Sequence, residues 1–301
     1  EDYRFKYPKA GEVNSAVSVS VYHLADQQTI PIKLGSETDV YLPRMQWTID
    51  NNLLSVVRLN RLQNKLEIIH ANAQSGTTEV VLTEASSTYV DLDYNDHLVY
   101  LENGEHFVRT SEEDGYKHIY LHSMDGSLER QITQGNWEVS EFLGVDEDKN
   151  LVYYLSTEVS PLQRHLYTIN LNGKQKKRLT EQPGTHSITL NSDYSYYIDR
   201  HSSSQSPLTV SLHKAPRGRQ IKVLEDNSEL REELASYRMG IKEYLTVPID
   251  DTLALNAYLV KPADFDPTQT YPLLMFVYGG PGSQLVQDSW LSGDEPWFHY
   301  L

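Results

Sequence analysis

One pattern limits the possible folds more than any other: a strand, turn, strand module recurs in phase through the first three quarters of the chain. His118-Ile-Tyr-Leu-His-Ser-Met-Asp-Gly126 aligns without a gap on His165-Leu-Tyr-Thr-Ile-Asn-Leu-Asn-Gly173 at an offset of 47 residues, and Ile132-Thr133 aligns on Leu179-Thr180 at the same offset. The Asp-Gly and Asn-Gly steps tolerate the positive φ of a tight hairpin, so each unit reads as two antiparallel strands joined by a short turn. Weaker copies pair Val19–Tyr22 with Ile32–Leu34, Leu66–Ile69 with Val80–Thr83, and Leu208–Leu212 with Ile221–Leu224. With Leu34, Leu82, Ile132, Leu179 and Leu224 as equivalent marks, the spacings are 48, 50, 47 and 45 residues.

Further strand-like runs lie between the marks, at Leu53–Leu59, His97–Leu101, Glu105–Arg109, Leu151–Leu155 and Tyr194–Ile198. About four strands per repeat of about 45 residues is the arithmetic of a β-propeller blade. A β-sandwich with evenly spaced hairpins is the alternative, but it has no reason to repeat the Tyr, Asx-Gly and Leu-Thr marks in phase. The repeat is already running at the first residues, so further blades are expected upstream.

Composition agrees and excludes other classes. Tyr occurs 21 times against 6 Phe, which suits half-buried pleated surfaces where the ring packs inward and the hydroxyl reaches water. Lys and Arg total 26 against 42 Asp and Glu, a net charge of −16, so a nucleic-acid partner would meet repulsion. The absence of cysteine excludes disulfides, thiolate zinc sites and thiol nucleophiles. No apolar stretch approaches the roughly 20 residues that insert in a bilayer. The first residues do not read as a signal peptide, although a chain whose leader had been removed would look the same.

The repeat stops near residue 225. Asn227-Ser228 followed by Glu229–Tyr237 predicts a connecting helix with Leu230 and Leu234 on one face. Beyond it, Ile241–Ile249 and Leu253–Val260 flank Asp250-Asp251-Thr252, a polar hairpin turn, and Pro262–Thr270 reads as a loop. We therefore place a β-propeller segment with its connecting helix at 1–238 and a second domain at 239–301. There Tyr271-Pro-Leu-Leu-Met-Phe-Val-Tyr278-Gly279-Gly280-Pro281-Gly282-Ser283-Gln284 reads as a strand buried on both faces that ends in a tight turn. In α/β-hydrolases such a Gly-rich loop supplies backbone N–H groups to an oxyanion hole. A Gly turn with no chemical role is the plain alternative, and a phosphate cradle fails because no Gly-Lys-Ser/Thr follows.

The Tyr271–Gln284 string resembles the start of the catalytic domain in the dipeptidyl peptidase IV branch of the prolyl oligopeptidase family of serine peptidases. Tyr7–Asn14, Glu112–His118, Thr133–Val139 and Val223–Ser228 are similar to propeller segments of that branch, in the same order. The resemblance implies a mainly β chain, the later blades of a β-propeller followed by the first strands of an α/β-hydrolase domain. It also implies removal of dipeptides or tripeptides from peptide N-termini, often after proline, with no cofactor and with peptides as partners. A periplasmic or secreted location and a homodimeric parent follow from the same likeness. By motif, Tyr278 is the tyrosine whose hydroxyl stabilises the oxyanion, Gly279, Gly280 and Gly282 shape the loop, and Gln284 lines the substrate site.

Two departures matter. No Gly-x-Ser-x-Gly elbow occurs in the chain, so the family's Ser, Asp and His are expected downstream and the chain alone is expected to be inactive. The family's paired glutamates, which hold the substrate ammonium, are expected upstream, because Glu112-Glu113 and Glu232-Glu233 read as a solvated hairpin turn and a solvated helix face. The eleven histidines show no His-Glu-x-x-His spacing, and no metal site is expected. A propeller-based binding module with a non-catalytic hydrolase-like tail is the competing function.

Overall fold

The computed structural model describes residues 2–4, 9–92, 94–95, 97–240, 242–280, 282–290 and 295–300. They are mostly β and fall into two compact units, the first formed by Glu1–Gln134 with Leu171–Gly173 and the second by Gly135–Asn170 with Lys174–Leu301.

In the first unit the hairpin β1 (Ser20–His23) and β2 (Gln28–Pro31) precedes two four-stranded antiparallel sheets. One is β3 (Val40–Trp47), β4 (Leu53–Asn60), β5 (Lys65–Asn72) and β6 (Thr78–Ala85). The other is β7 (Leu98–Tyr100), β8 (His106–Ser111), β9 (His118–Ser123) and β10 (Leu128–Gln131). The second unit holds β11 (Val139–Asp146), β12 (Leu151–Ser156), β13 (His165–Asn170) and β14 (Lys177–Arg178). It continues with β15 (Thr185–Leu190), β16 (Tyr196–Ser203), β17 (Ser206–Lys214) and β18 (Arg219–Glu225). In all four sheets spatial order follows chain order, which is the meander of a propeller blade.

Side-chain alternation explains the stacking. Leu54, Val56, Ile69 and Ala71 face one way and pack with Val19, Val21 and Ile32; Val57, Leu59, Leu66 and Ile68 face the other way and pack with Tyr100 and Phe107 of the next sheet. A sheet covered on both faces needs apolar residues at every position of its middle strands, as in the buried Val152–Leu155. Outer strands face water, and β14 and β18 are exposed throughout.

The recurring marks have a physical meaning. Ile132 and Leu179 each donate a backbone hydrogen bond to the carbonyl of the residue thirteen positions earlier, Ile119 and Leu166, both at 2.8 Å, and so close equivalent hairpins. At the first repeat the residue in this place is Ile32, bonded to the Val19 carbonyl at 3.0 Å, and not the mark Leu34, whose N–H goes to the Ile32 carbonyl at 3.1 Å. The turn glycine has two duties. Gly126 adopts φ +85°, and a Cβ there would collide with the backbone carbonyl of Val81 in the preceding sheet. Gly218 repeats the arrangement in the second unit, where a Cβ would lie 2.9 Å from the Leu179 carbonyl oxygen.

Three expectations need correction. β2 ends at Pro31, so Ile32–Leu34 is not a strand, although Ile32 is buried. A helix forms at α1 (Ser228–Leu234), but none of its residues is buried. The Asn227 side chain does not cap it: Asn227 sits at φ 52°, its Nδ2 donates to the Leu208 carbonyl, and Asp226 Oδ1 accepts the Ser228 N–H at 2.9 Å. Finally, 271–278 carries no strand; Leu273, Met275 and Val277 are 73, 75 and 78% exposed. A strand requires a hydrogen-bonding neighbour, and no described residue pairs with this run. The hairpin around Asp250 does form, with β19 (Lys242–Pro248) paired to β20 (Ala254–Val260) and Asp250 Oδ1 accepting the N–H groups of Thr252 and Leu253. Ile241, Tyr7, Pro8 and Pro281 lie outside the described residues.

Candidate functional site

The site expected at the Gly-rich turn begins with Tyr278, which is 62% exposed. Its ring lies over the Gly280 backbone: a Cβ on Gly280 would come within 2.8 Å of Tyr278 Cε1 and 3.0 Å of its hydroxyl oxygen. Glycine at 280 thus makes room for the phenol. The Ser283 N–H donates to the Gly280 carbonyl at 3.3 Å, closing a turn in which Gly282 sits at φ +72°, a conformation that favours residues without a Cβ. Nothing lies within 4 Å of where a Cβ on Gly279 would stand.

Gln284 is anchored rather than free. Its Nε2 donates to the Pro161 carbonyl at 2.8 Å and to the Val286 carbonyl at 2.9 Å, and its Oε1 accepts from Arg164. Pro161 and Arg164 belong to the loop between β12 and β13, so the segment after the turn is tied to a sheet of the same unit. Sequence reasoning missed the stronger tie four residues on. Asp288 Oδ1 accepts the Ser204 N–H at 2.9 Å, Oδ2 accepts Gln163 Nε2 at 3.0 Å, its carbonyl accepts the Thr185 hydroxyl at 2.9 Å and its N–H donates to the Leu162 carbonyl at 2.8 Å. Trp290 N–H adds a bond to the Ser202 hydroxyl at 3.2 Å.

Beneath Gln163 lies a buried run of imidazoles. The His165 and His186 ring centroids are 5.3 Å apart, and those of His186 and His201 are 4.4 Å apart. His165 Nε2 meets Gln163 Oε1 at 3.1 Å, while Nδ1 meets the Thr180 hydroxyl at 3.2 Å. Burial, reinforced by the neighbouring His186, pushes the His165 pKa down to about 4. Burial lowers that of His201 as well. His186 differs: Nδ1 faces the Asp199 carboxylate at 2.9 Å and Nε2 faces the Gln182 carbonyl at 3.0 Å. His186 thus stands between two oxygen acceptors, with the Asp199 carboxylate and the Gln182 carbonyl fixing its ring between His165 and His201. Among the described residues no group of His, Asp and Glu is arranged to hold a metal ion, and no helix is long and apolar enough to cross a membrane.

The glutamate doublets are placed much as their sequence suggested. Glu232 and Glu233 are exposed on α1. Glu112 and Glu113 are also exposed, but they are partnered: Glu112 Oε2 accepts from Asn95 Nδ2 at 2.9 Å, and Glu113 lies 3.8 Å from the buried Arg109, which is paired with Glu84. Partial burial, opposed by Arg109, raises the Glu113 pKa.

Comparison with known proteins fits this arrangement. Residues 1–208 match the family model of the dipeptidyl peptidase IV N-terminal region. A probable dipeptidyl peptidase 4 of Emericella nidulans is 29% identical over 96% of this chain and 39% of its own length. Dipeptidyl peptidase 4 of Trichophyton rubrum is 27% identical over 97% of this chain and 39% of its own length. The chain thus spans about two fifths of the curated relatives it matches. The crystal structure of Porphyromonas gingivalis dipeptidyl peptidase 4 superposes with a TM-score of 0.91 at 40% identity, covering 100% of this chain and 42% of that one. That of a putative dipeptidyl aminopeptidase IV from Bacteroides ovatus gives a TM-score of 0.84 at 29% identity, covering 98% and 44%. The in-phase four-stranded sheets and the family match over residues 1–208 lead to one conclusion: the chain belongs to the dipeptidyl peptidase IV N-terminal region family.

Proposed function

We propose that this chain is part of a serine exopeptidase that removes dipeptides, or tripeptides, from peptide N-termini, often after proline. The observation that carries the reading is a kinship to dipeptidyl peptidases 4 that runs through the four sheets and on into the Tyr278–Gln284 turn. In this reading 1–238 are propeller blades that gate access of short or unfolded peptides, and 239–301 open the catalytic domain.

Tyr278 donates its hydroxyl to the oxyanion of the tetrahedral intermediate. Its exposed phenol and the exposed Leu273–Val277 run support a place against a sheet and a substrate. One such donor is worth about 2.7 to 4 kcal/mol in the barrier, or roughly 100- to 1,000-fold in turnover. The nucleophile, base and orienting acid are supplied downstream, so the chain alone does not hydrolyse peptides.

Hydrolysis of Xaa-Pro chromogenic substrates by the full-length protein, with and without Tyr278→Phe, tests the reading. Turnover by the unmodified protein and a loss of about 100-fold or more in the variant are expected. No turnover by the unmodified protein would favour a peptide-binding module instead.

A further inference from the structure

Asp288 has four hydrogen-bonding positions, counting its two carboxylate oxygens, carbonyl and N–H, and loops or strand ends of the last two four-stranded sheets take all four. The carboxylate also sets the direction of a polar chain. As an acceptor it requires the Gln163 amide to present Nε2, which turns Gln163 Oε1 toward His165 Nε2. His165 therefore carries its proton on Nε2, its Nδ1 accepts from the Thr180 hydroxyl, and Thr180 in turn accepts the Leu166 N–H.

Ten positions separate Asp288 from Tyr278. Along that stretch the other ties among the described residues include the Ser283–Gly280 turn, the Gln284 clasp to Pro161 and Arg164, the Gln287 Nε2 bond to the Gln284 carbonyl, and the Tyr244 hydroxyl of β19, which donates to the Gln287 carbonyl at 2.7 Å. Tyr278 itself has no hydrogen-bond partner among the described residues. A donor that must meet a developing charge within a few tenths of an ångström needs its loop fixed from outside. We propose that Asp288 is a positioning residue for Tyr278, pinning the far end of the Gly-rich loop to the β12–β13 and β16–β17 loops so that the propeller-like sheets hold the oxyanion donor in place. The proposal rests on the oxyanion reading of Tyr278 given above.

The test is a double-mutant cycle in the full-length protein on an Xaa-Pro substrate. Asp288→Ala is expected to lower kcat by roughly 10- to 100-fold while KM moves less than about threefold. Combined with Tyr278→Phe, it is expected to lower kcat less than about twofold below Tyr278→Phe alone, because a misplaced donor and an absent one are the same loss. Asp288→Asn keeps the acceptor for Ser204 but opposes Gln163, and should fall between; it also carries the cycle where Asp288→Ala does not fold. A kcat within twofold of the unmodified protein, or losses that multiply fully with Tyr278→Phe, overturns the positioning role and leaves the oxyanion reading standing. A Tyr278→Phe variant as fast as the unmodified protein, or no hydrolysis at all, overturns both.

Discussion

Thr180 places its hydroxyl 3.2 Å from Nδ1 of His165 and accepts the Leu166 N–H at 3.0 Å, and 47 residues earlier Thr133 does the same for His118 and Ile119, each at 3.0 Å. A repeat visible as letters is therefore a repeated hydrogen-bond device. The threonine closes the hairpin after the strand and satisfies two buried groups at the strand's start. All four side chains in the two pairs are buried.

Replacing either threonine by valine keeps the shape and removes the hydroxyl, leaving a buried N–H and a buried ring nitrogen without a partner. Thr180→Val and Thr133→Val should each cost about 1 to 3 kcal/mol. Urea denaturation reads this as a lower midpoint with an unchanged slope. Equal stability in both variants would mean that water replaces the hydroxyl and that the device is ornamental.

The buried histidines make stability depend on pH. His165 and His70 are both held neutral by burial, with pKa values pushed down to about 4. In the unfolded chain a histidine titrates near about 6.5. Below that value the unfolded chain takes up a proton that the folded chain refuses until about pH 4, so stability is intact above about 6.5 and falls on acidification through this window. Each residue contributes a loss of about 3 kcal/mol across the window. His165→Gln should flatten the pH dependence between 6.5 and 4 by about one proton's worth. An identical slope in variant and unmodified protein would show that His165 protonates freely in the fold.

Phase made the hairpins legible in sequence, and the strands that escaped show what phase cannot see. β3 and β11 both carry bulges, between Tyr41 and Arg44 and around Glu141 and Gly144, and a bulge breaks the two-residue alternation that marks a strand. β15 is rich in Thr, His and Ser, and its buried His186 reads as polar until its Asp199 partner is known. The run Leu273–Val277 failed in the opposite direction: its composition is that of a buried strand, but pairing is non-local and composition does not supply a partner. In the candidate site, Tyr278, Gly280 and Gly282 are singled out by a motif. Asp288 has no periodicity or motif around it, and its hydrogen-bond partners come from loops lying more than 80 residues away.

The turn glycines separate two costs that a sequence alone merges. Gly104 (φ +65°) and Gly126 (φ +85°) both occupy the left-handed region, but a Cβ at 104 would meet nothing within 4 Å, whereas one at 126 would strike the Val81 carbonyl. Gly104→Ala should cost about 1 to 2 kcal/mol from backbone strain alone. Gly126→Ala should cost at least about 1 to 3 kcal/mol more, since the neighbouring sheet must move. Thermal denaturation of the two variants side by side decides it. Equal losses would mean that the sheets are not held as closely as the Gly126 turn requires.

The exposed apolar run offers the last test. Leu273, Leu274, Met275, Phe276 and Val277 are each more than half exposed, with Phe276 making one ring contact to Phe298 at 5.6 Å. Fully burying such side chains yields about 1.5 to 3 kcal/mol each, so five together form a strongly adhesive ribbon. The 301-residue chain should therefore bind anilinonaphthalene sulfonate and scatter light at high concentration. Leu273, Met275 and Val277 are the most exposed of the five, and changing all three to Ser should lower dye fluorescence and scattering together. The unfolding midpoint should hold, because these side chains bury little in the fold. A drop of several degrees would instead show that the ribbon is packed against its own chain, and would remove the argument that it awaits the rest of a catalytic sheet.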